Sequence, residues 1–248
     1  MASIKPTKLI KFKADISLAT MKMPFPTSIT LPILTPNTLD KEELATQNYT
    51  SLRFLPAVST VTVKEELLYI DMREKAVYRL RKDMTTNQLI STGSWRPRAV
   101  HSSRINGNIL LGMNSDNDMK IVRYSRKGRK LQDILRDDKP ETLPLSLFYI
   151  MENINGDICT SAYDKVVVLT RSGEYKFSYN GHKSQSRFRS YGICTDVLGY
   201  ILMYNGSDLN HSSVHLLDQF GRFISFILTP DQCPYEPCAL CVDDHHNL

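Results

Sequence analysis

The residues best equipped for chemistry crowd into the last sixteen positions, CPYEPCALCVDDHHNL (233–248), with three cysteines, two histidines and two aspartates. The spacing Cys233-x4-Cys238-x2-Cys241-x3-His245 has the ligand types and the short C-x2-C step that zinc sites use. A second set is basic and aromatic. SWRPR carries Arg96 and Arg98, and HKSQSRFRSY carries Lys183, Arg187 and Arg189 with Phe188 and Tyr191 among them. Arginines interleaved with aromatics suit phosphate contact plus base stacking, and equally an acidic protein segment. A third set, Met119 to Gln132, holds six basic residues and no acid around Gly128. The six histidines pair with no serine or cysteine in a recurring local context, so nucleophilic catalysis has no support from the sequence.

What these groups can do depends on the elements that hold them. At 248 residues, 42% hydrophobic and 23% charged, the chain can bury a large core without metals or disulfides. Five cysteines is an odd number, and the N-terminus MASIKPTKLIKFKAD has no apolar signal region. A reduced, intracellular and cytoplasmic protein is expected, without cofactor or resident metal. No run approaches the roughly 18 apolar residues of a membrane span, so no membrane partner is expected. A net charge of +5 permits an acidic partner without demanding one.

All 11 glycines lie between Gly93 and Gly221, whereas five of the 12 prolines fall between Pro24 and Pro56. Residues 1–57 therefore read as a Pro-interrupted arm or linker with one strand-like stretch, Lys8 to Phe12. From Val58 onward, short runs of Val, Ile, Leu and Tyr alternate with Gly, Asn, Asp and Ser, the pattern of strands and hairpin turns. The runs repeat. Gly107, Gly156 and Gly199 mark one turn of each copy, and Gly128, Gly173 and Gly221 mark another. Two turn glycines per unit and a period in the forties imply four strands per unit, the size of a propeller blade. A glycine-free copy precedes them, with Lys64 to Glu66 in place of the first turn.

Setting His246 under Gly199 makes the tail the start of a fifth copy. That register answers the zinc question, because Cys238 and Cys241 then lie three apart on a strand and point to opposite faces. The tail cysteines read as small buried hydrophobes.

The unit resembles the NHL repeat. Its first half is matched by YGICTDVLGYI (Tyr191 to Ile201) and its second by KVVVLTRSG (Lys165 to Gly173). Together with the Pro-rich leader, the chain resembles the C-terminal half of tripartite-motif proteins carrying such a propeller. It departs from the pattern where Asn114, Ser161 and Asn205 replace the aspartate that ends the second strand, and where Ser213 replaces the basic residue kept at Lys120 and Lys165. The resemblance implies an all-β fold in which residues 58–248 supply about four complete blades and the start of a fifth, part of a six-bladed ring. It also implies a non-catalytic recognition module that recruits a protein partner for a ubiquitin ligase. No RING or B-box array is present, so no enzyme is expected.

In that register the loops carrying Arg96, Arg98, Lys183, Arg187, Phe188, Arg189 and Tyr191 join one blade to the next and share a face. They are the expected site for a protein partner, with RNA as the alternative. The basic turn around Gly128 falls on the opposite face and reads as a solvated hairpin that discourages edge association. Trp95 reads as a wedge between blades or as a surface anchor. A remote alternative is a calcium-dependent propeller hydrolase, for which Asn114 and Asn205 stand at equivalent places. An unclosed array of four blades would expose a strand edge, so the chain is further expected to be a fragment.

Overall fold

The computed structural model describes residues 58–116, 118–135, 147–185, 187–206, 212–232 and 240. The repeats become four antiparallel sheets of four strands, each a simple meander. Blade 1 contains β1 (Ser59–Val61), β2 (Leu67–Asp71), β3 (Ala76–Leu80) and β4 (Thr86–Ser91), and blade 2 contains β5 (Arg96–Ser102), β6 (Ile109–Asn114), β7 (Met119–Tyr124) and β8 (Lys130–Leu135). Blade 3 runs through β9 (Leu147–Glu152), β10 (Ile158–Ala162), β11 (Lys165–Leu169) and β12 (Tyr175–Tyr179). Blade 4 runs through β13 (Ser190–Thr195), β14 (Ile201–Asn205), β15 (Ser213–Leu217) and β16 (Phe223–Leu228). Described residues form no helix.

The first strands β1, β5, β9 and β13 neighbour one another in that order, which makes them the inner strands of radially arranged blades. The core accordingly sits between blades. Leu68, Ile70 and Val77 of blade 1 meet Val100, Leu111 and Val122 of blade 2, and the same happens at each later boundary. A middle strand covered on both faces should be apolar throughout. Strands β10, β14 and β15 are buried at every position, whereas the outermost β4 and β12 are mostly exposed. Cys159 belongs to covered β10 and Cys194 is buried on β13, and burial pushes the Cys159 thiol up to about 12, as expected of an inert small hydrophobe.

The two kinds of turn glycine have different causes. Gly156 lies at φ +86°, and an added Cβ would meet only the Arg171 side chain at an ordinary contact distance of 3.7 Å, so only its left-handed backbone calls for glycine. Gly173, at φ +101°, is also pressed on the preceding blade, where an added Cβ would stand 1.9 Å from the Ile134 carbonyl oxygen. Blade 1 has no preceding blade among the described residues. At its equivalent turn Met84 adopts φ 63° with an exposed side chain.

All strands described here fall within one compact unit, Leu55–Val242. The strand-like stretch Lys8–Phe12, the arm 1–57, and the tail cysteines with His245 lie outside the described residues.

Candidate functional site

The turns β2–β3, β6–β7 and β10–β11 open on the same face as the blade-joining segments, because a meander of four strands ends at the side opposite to its first turn. Arg96 and Arg98 stand where β5 begins. Arg98 Nε donates to Asn114 Oδ1 at 2.9 Å, and the exposed Arg96 pairs with Asp116 at 3.0 Å. Trp95 is partly buried against the core of blades 1 and 2, with the Lys120 ammonium 4.0 Å above its ring. It wedges the blades while one face receives a cation.

The second basic segment joins blades 3 and 4. Lys183 and Arg187 are exposed and form no ion pair among the described residues. The Arg189 guanidinium lies 4.4 Å over the exposed ring of Tyr163, on the β10–β11 turn. Phe188 turns inward, edge-on to Tyr179 at 5.7 Å and tilted to His215 at 5.8 Å, so its ring packs between blades. Tyr191 is half-buried beside Tyr204. No hydrogen bond or ring contact joins the Arg96–Arg98 group to the Lys183–Tyr191 group among the described residues.

A buried polar chain holds the second segment from beneath. Tyr179 Oη lies 2.9 Å from His215 Nδ1, and His215 Nε2 lies 2.9 Å from Ser213 Oγ. Ser213 Oγ accepts from Gln185 Nε2 at 2.8 Å, and Gln185 Oε1 accepts from Asn205 Nδ2 at 3.0 Å. Asn205 reaches the loop backbone twice. Its Nδ2 donates to the Arg187 carbonyl at 3.3 Å, and its Oδ1 accepts from the Arg189 amide at 2.8 Å. Burial drives the His215 pKa down to about 4, keeping the ring neutral and able to donate at one nitrogen and accept at the other. Burial also raises the Tyr179 phenol.

Sequence reasoning missed Tyr163, Gln185 and His215. The available signal was His215 inside the apolar strand SVHLL, two residues after Ser213, where the repeat expects a basic side chain. Ser213 and His215 do form the nucleophile–base contact of a hydrolase. Both are at most 1% exposed, so no substrate reaches the hydroxyl.

Asn114 and Asn205, weighed as calcium ligands, are engaged by Arg98 and by the loop backbone. Among the described residues no three His, Cys, Asp or Glu side chains come together as a metal site.

No family model and no curated protein matches the chain. Solved structures do. A gluconolactonase from Xanthomonas campestris superposes with a TM-score of 0.57 at 15% identity, over 76% of this chain and 65% of that one. The crystal structure of a nidogen/laminin complex matches at 0.53 and 14%, over 67% and 60%, and a streptogramin B lyase at 0.52 and 17%, over 69% and 54%. The chain thus spans between about half and two thirds of these structures. One expectation needs correction. Enzymes such as the lyase and the gluconolactonase share this fold, so the exclusion of catalysis from a missing RING array and triad does not stand. What the comparisons establish is the β-propeller, built from four-stranded blades.

Proposed function

We propose that the chain is a propeller recognition module that binds a protein partner, an acidic segment, on the face of the blade-joining loops. The observation that carries this reading is the buried chain from Tyr179 to Asn205 beneath residues 180–189. It fixes the loop backbone before any partner arrives, so the entropy cost of ordering the loop is not charged to binding. Lys183, Arg187 and Arg189 project from that support as cations suited to carboxylates, and Tyr163 adds an exposed aromatic. The inward packing of Phe188 removes the stacking platform that an RNA reading requires. The nidogen/laminin complex is a precedent for protein partners on this fold. Recruitment for a ubiquitin ligase rests on the NHL-like motifs of the sequence alone.

The test is a titration of the full chain with a fluorescent acidic, aromatic-containing peptide and, separately, with single-stranded RNA. The peptide should bind, and the triple change Lys183→Glu, Arg187→Glu, Arg189→Glu should weaken it by at least about tenfold. Equal binding by wild type and variant, or RNA binding with a steep salt slope and no peptide binding, overturns the proposal.

A further inference from the structure

The opposite face carries an unexpected surface. It is formed by the turns within blades, Thr62–Glu66, Ser103–Asn108, Asn153–Asp157 and Asp196–Tyr200 between inner strands, with Arg81–Thr85, Ser125–Arg129, Thr170–Glu174 and Asp218–Arg222 outside them. Contacts between blades bring these turns side by side. Arg123 Nη2 donates to the Arg171 carbonyl, Gln132 Nε2 to the Ser172 carbonyl, and Asn153 Nδ2 to the Gly199 carbonyl at 3.0 Å.

Turn tips are ordinarily polar, yet six of these eight carry an exposed hydrophobe. Every inner turn presents an aliphatic residue: Val63, Ile105, Ile154, and Val197 with Leu198. Met84 and Phe220 add two more on outer turns. The side chains are 44–62% exposed, and they account for seven of the eleven exposed large hydrophobics among the described residues. The turns of the other face contribute one, Tyr163. The inner residues are near neighbours across blades, since a Cβ on Gly107 would lie 3.9 Å from Val63 Cγ2 and one on Gly199 would lie 3.5 Å from Ile154 Cγ2.

Cations flank these tips on blades 1 and 2. Lys64, Arg126, Lys127 and Arg129 stand on the same turns and have no acidic partner among the described residues. Most acids on these turns are engaged locally, with exposed Glu174 of blade 3 the exception. Asp83, Asp196 and Asp218 accept from the amides of their own turns, and Glu65 pairs with Lys82.

We infer that this face docks onto an anionic lipid surface. Separate apolar tips, rather than one groove, match a partner that yields around each side chain, and unpaired cations match acidic headgroups. A second copy of the chain would set the same cations against each other. No spanning segment is needed for such attachment, so it lies beyond the expectation of no membrane partner that the hydropathy suggested. It is also independent of the acidic-segment site on the other face.

The experiment is vesicle co-sedimentation of the full chain, comparing phosphatidylcholine alone with phosphatidylcholine containing about 30% phosphatidylserine. Wild type should sediment with the anionic vesicles, less so as salt rises. The pair Ile154→Asp, Leu198→Asp should lower the partition coefficient by at least about tenfold while keeping its thermal transition, because both sites are exposed. The pair Arg126→Glu, Lys127→Glu leaves the apolar tips intact and should abolish the preference for anionic vesicles. Failure of wild type to bind either vesicle, or undiminished anionic binding by both variants, overturns the inference. A concentration-dependent dimer that the aspartate pair abolishes, without vesicle binding, would assign the face to self-association instead.

Discussion

The two faces of the propeller are built by different means. On the joining-loop face the connection between β12 and β13 is long, and side chains position it: Asn205, Gln185, Ser213 and His215 tie it down from below. On the turn face the connections are short, and backbone geometry positions them, with left-handed residues, mostly glycines, and Asp, Asn, Ser or Thr side chains closing the turns on themselves. A loop held by side chains leaves its outward positions free to carry charge. A turn closed by its own backbone leaves its tip free to be apolar. The difference explains why one face displays cations over a polar frame and the other displays aliphatic tips among cations.

The largest way to break this comparison is to disturb a turn that bears on the neighbouring blade. Gly173→Ala must hold a left-handed backbone and push on the Ile134 carbonyl, for an expected loss of about 3 kcal/mol in urea unfolding. Gly156→Ala has only the backbone cost of about 1 kcal/mol. Equal losses at the two positions would show that contact between blades does not constrain these turns.

Acidification probes the other face. His215 titrates near 4 in the fold against 6.5 ordinarily, so as pH falls the unfolded chain takes up its proton first. Stability present above about 6.5 is therefore lost progressively between about 6.5 and 4, by up to roughly 3 kcal/mol for this residue. His101, also pushed down to about 4 by burial, adds to the same window. His215→Gln should remove about half of the pH dependence and leave the remainder to His101. A pH profile unchanged by that substitution would show that His215 is not buried as a neutral ring.

The smallest effect sharpens the contrast within the joining-loop face. Asn205→Ala, fully buried, abandons two backbone groups and should cost about 2 kcal/mol, measured by thermal unfolding. Asn114→Ala, half-exposed beside Arg98, should cost about 0.5 kcal/mol. A reversal of that order would remove the case that residues 180–189 are held more tightly than the start of β5.

Much of the fold was legible because a repeated unit writes its turns repeatedly. The steps between Gly107, Gly156 and Gly199, and between Gly128, Gly173 and Gly221, located six hairpin turns, two in each of blades 2 to 4, since positive φ at a turn is a local demand that glycine satisfies. The glycine-free first blade was found by analogy, and there Glu65 and Met84 adopt the left-handed conformation themselves. The basic segments were equally visible. Their surroundings were not, because whether an aromatic such as Phe188 points out or in depends on Tyr179 and His215, which lie in different strands of two blades.

By itself the sequence determined the four-stranded unit, its turns and the strand period, all of which follow from interactions within a few residues. Only the tertiary structure decided which side chains share a face. Val63, Ile105, Ile154 and Leu198 are spread over more than a hundred positions as isolated hydrophobes in polar turns, and each alone is unremarkable. Radial packing of the blades sets equivalent turns next to one another, and that arrangement turns scattered residues into a surface.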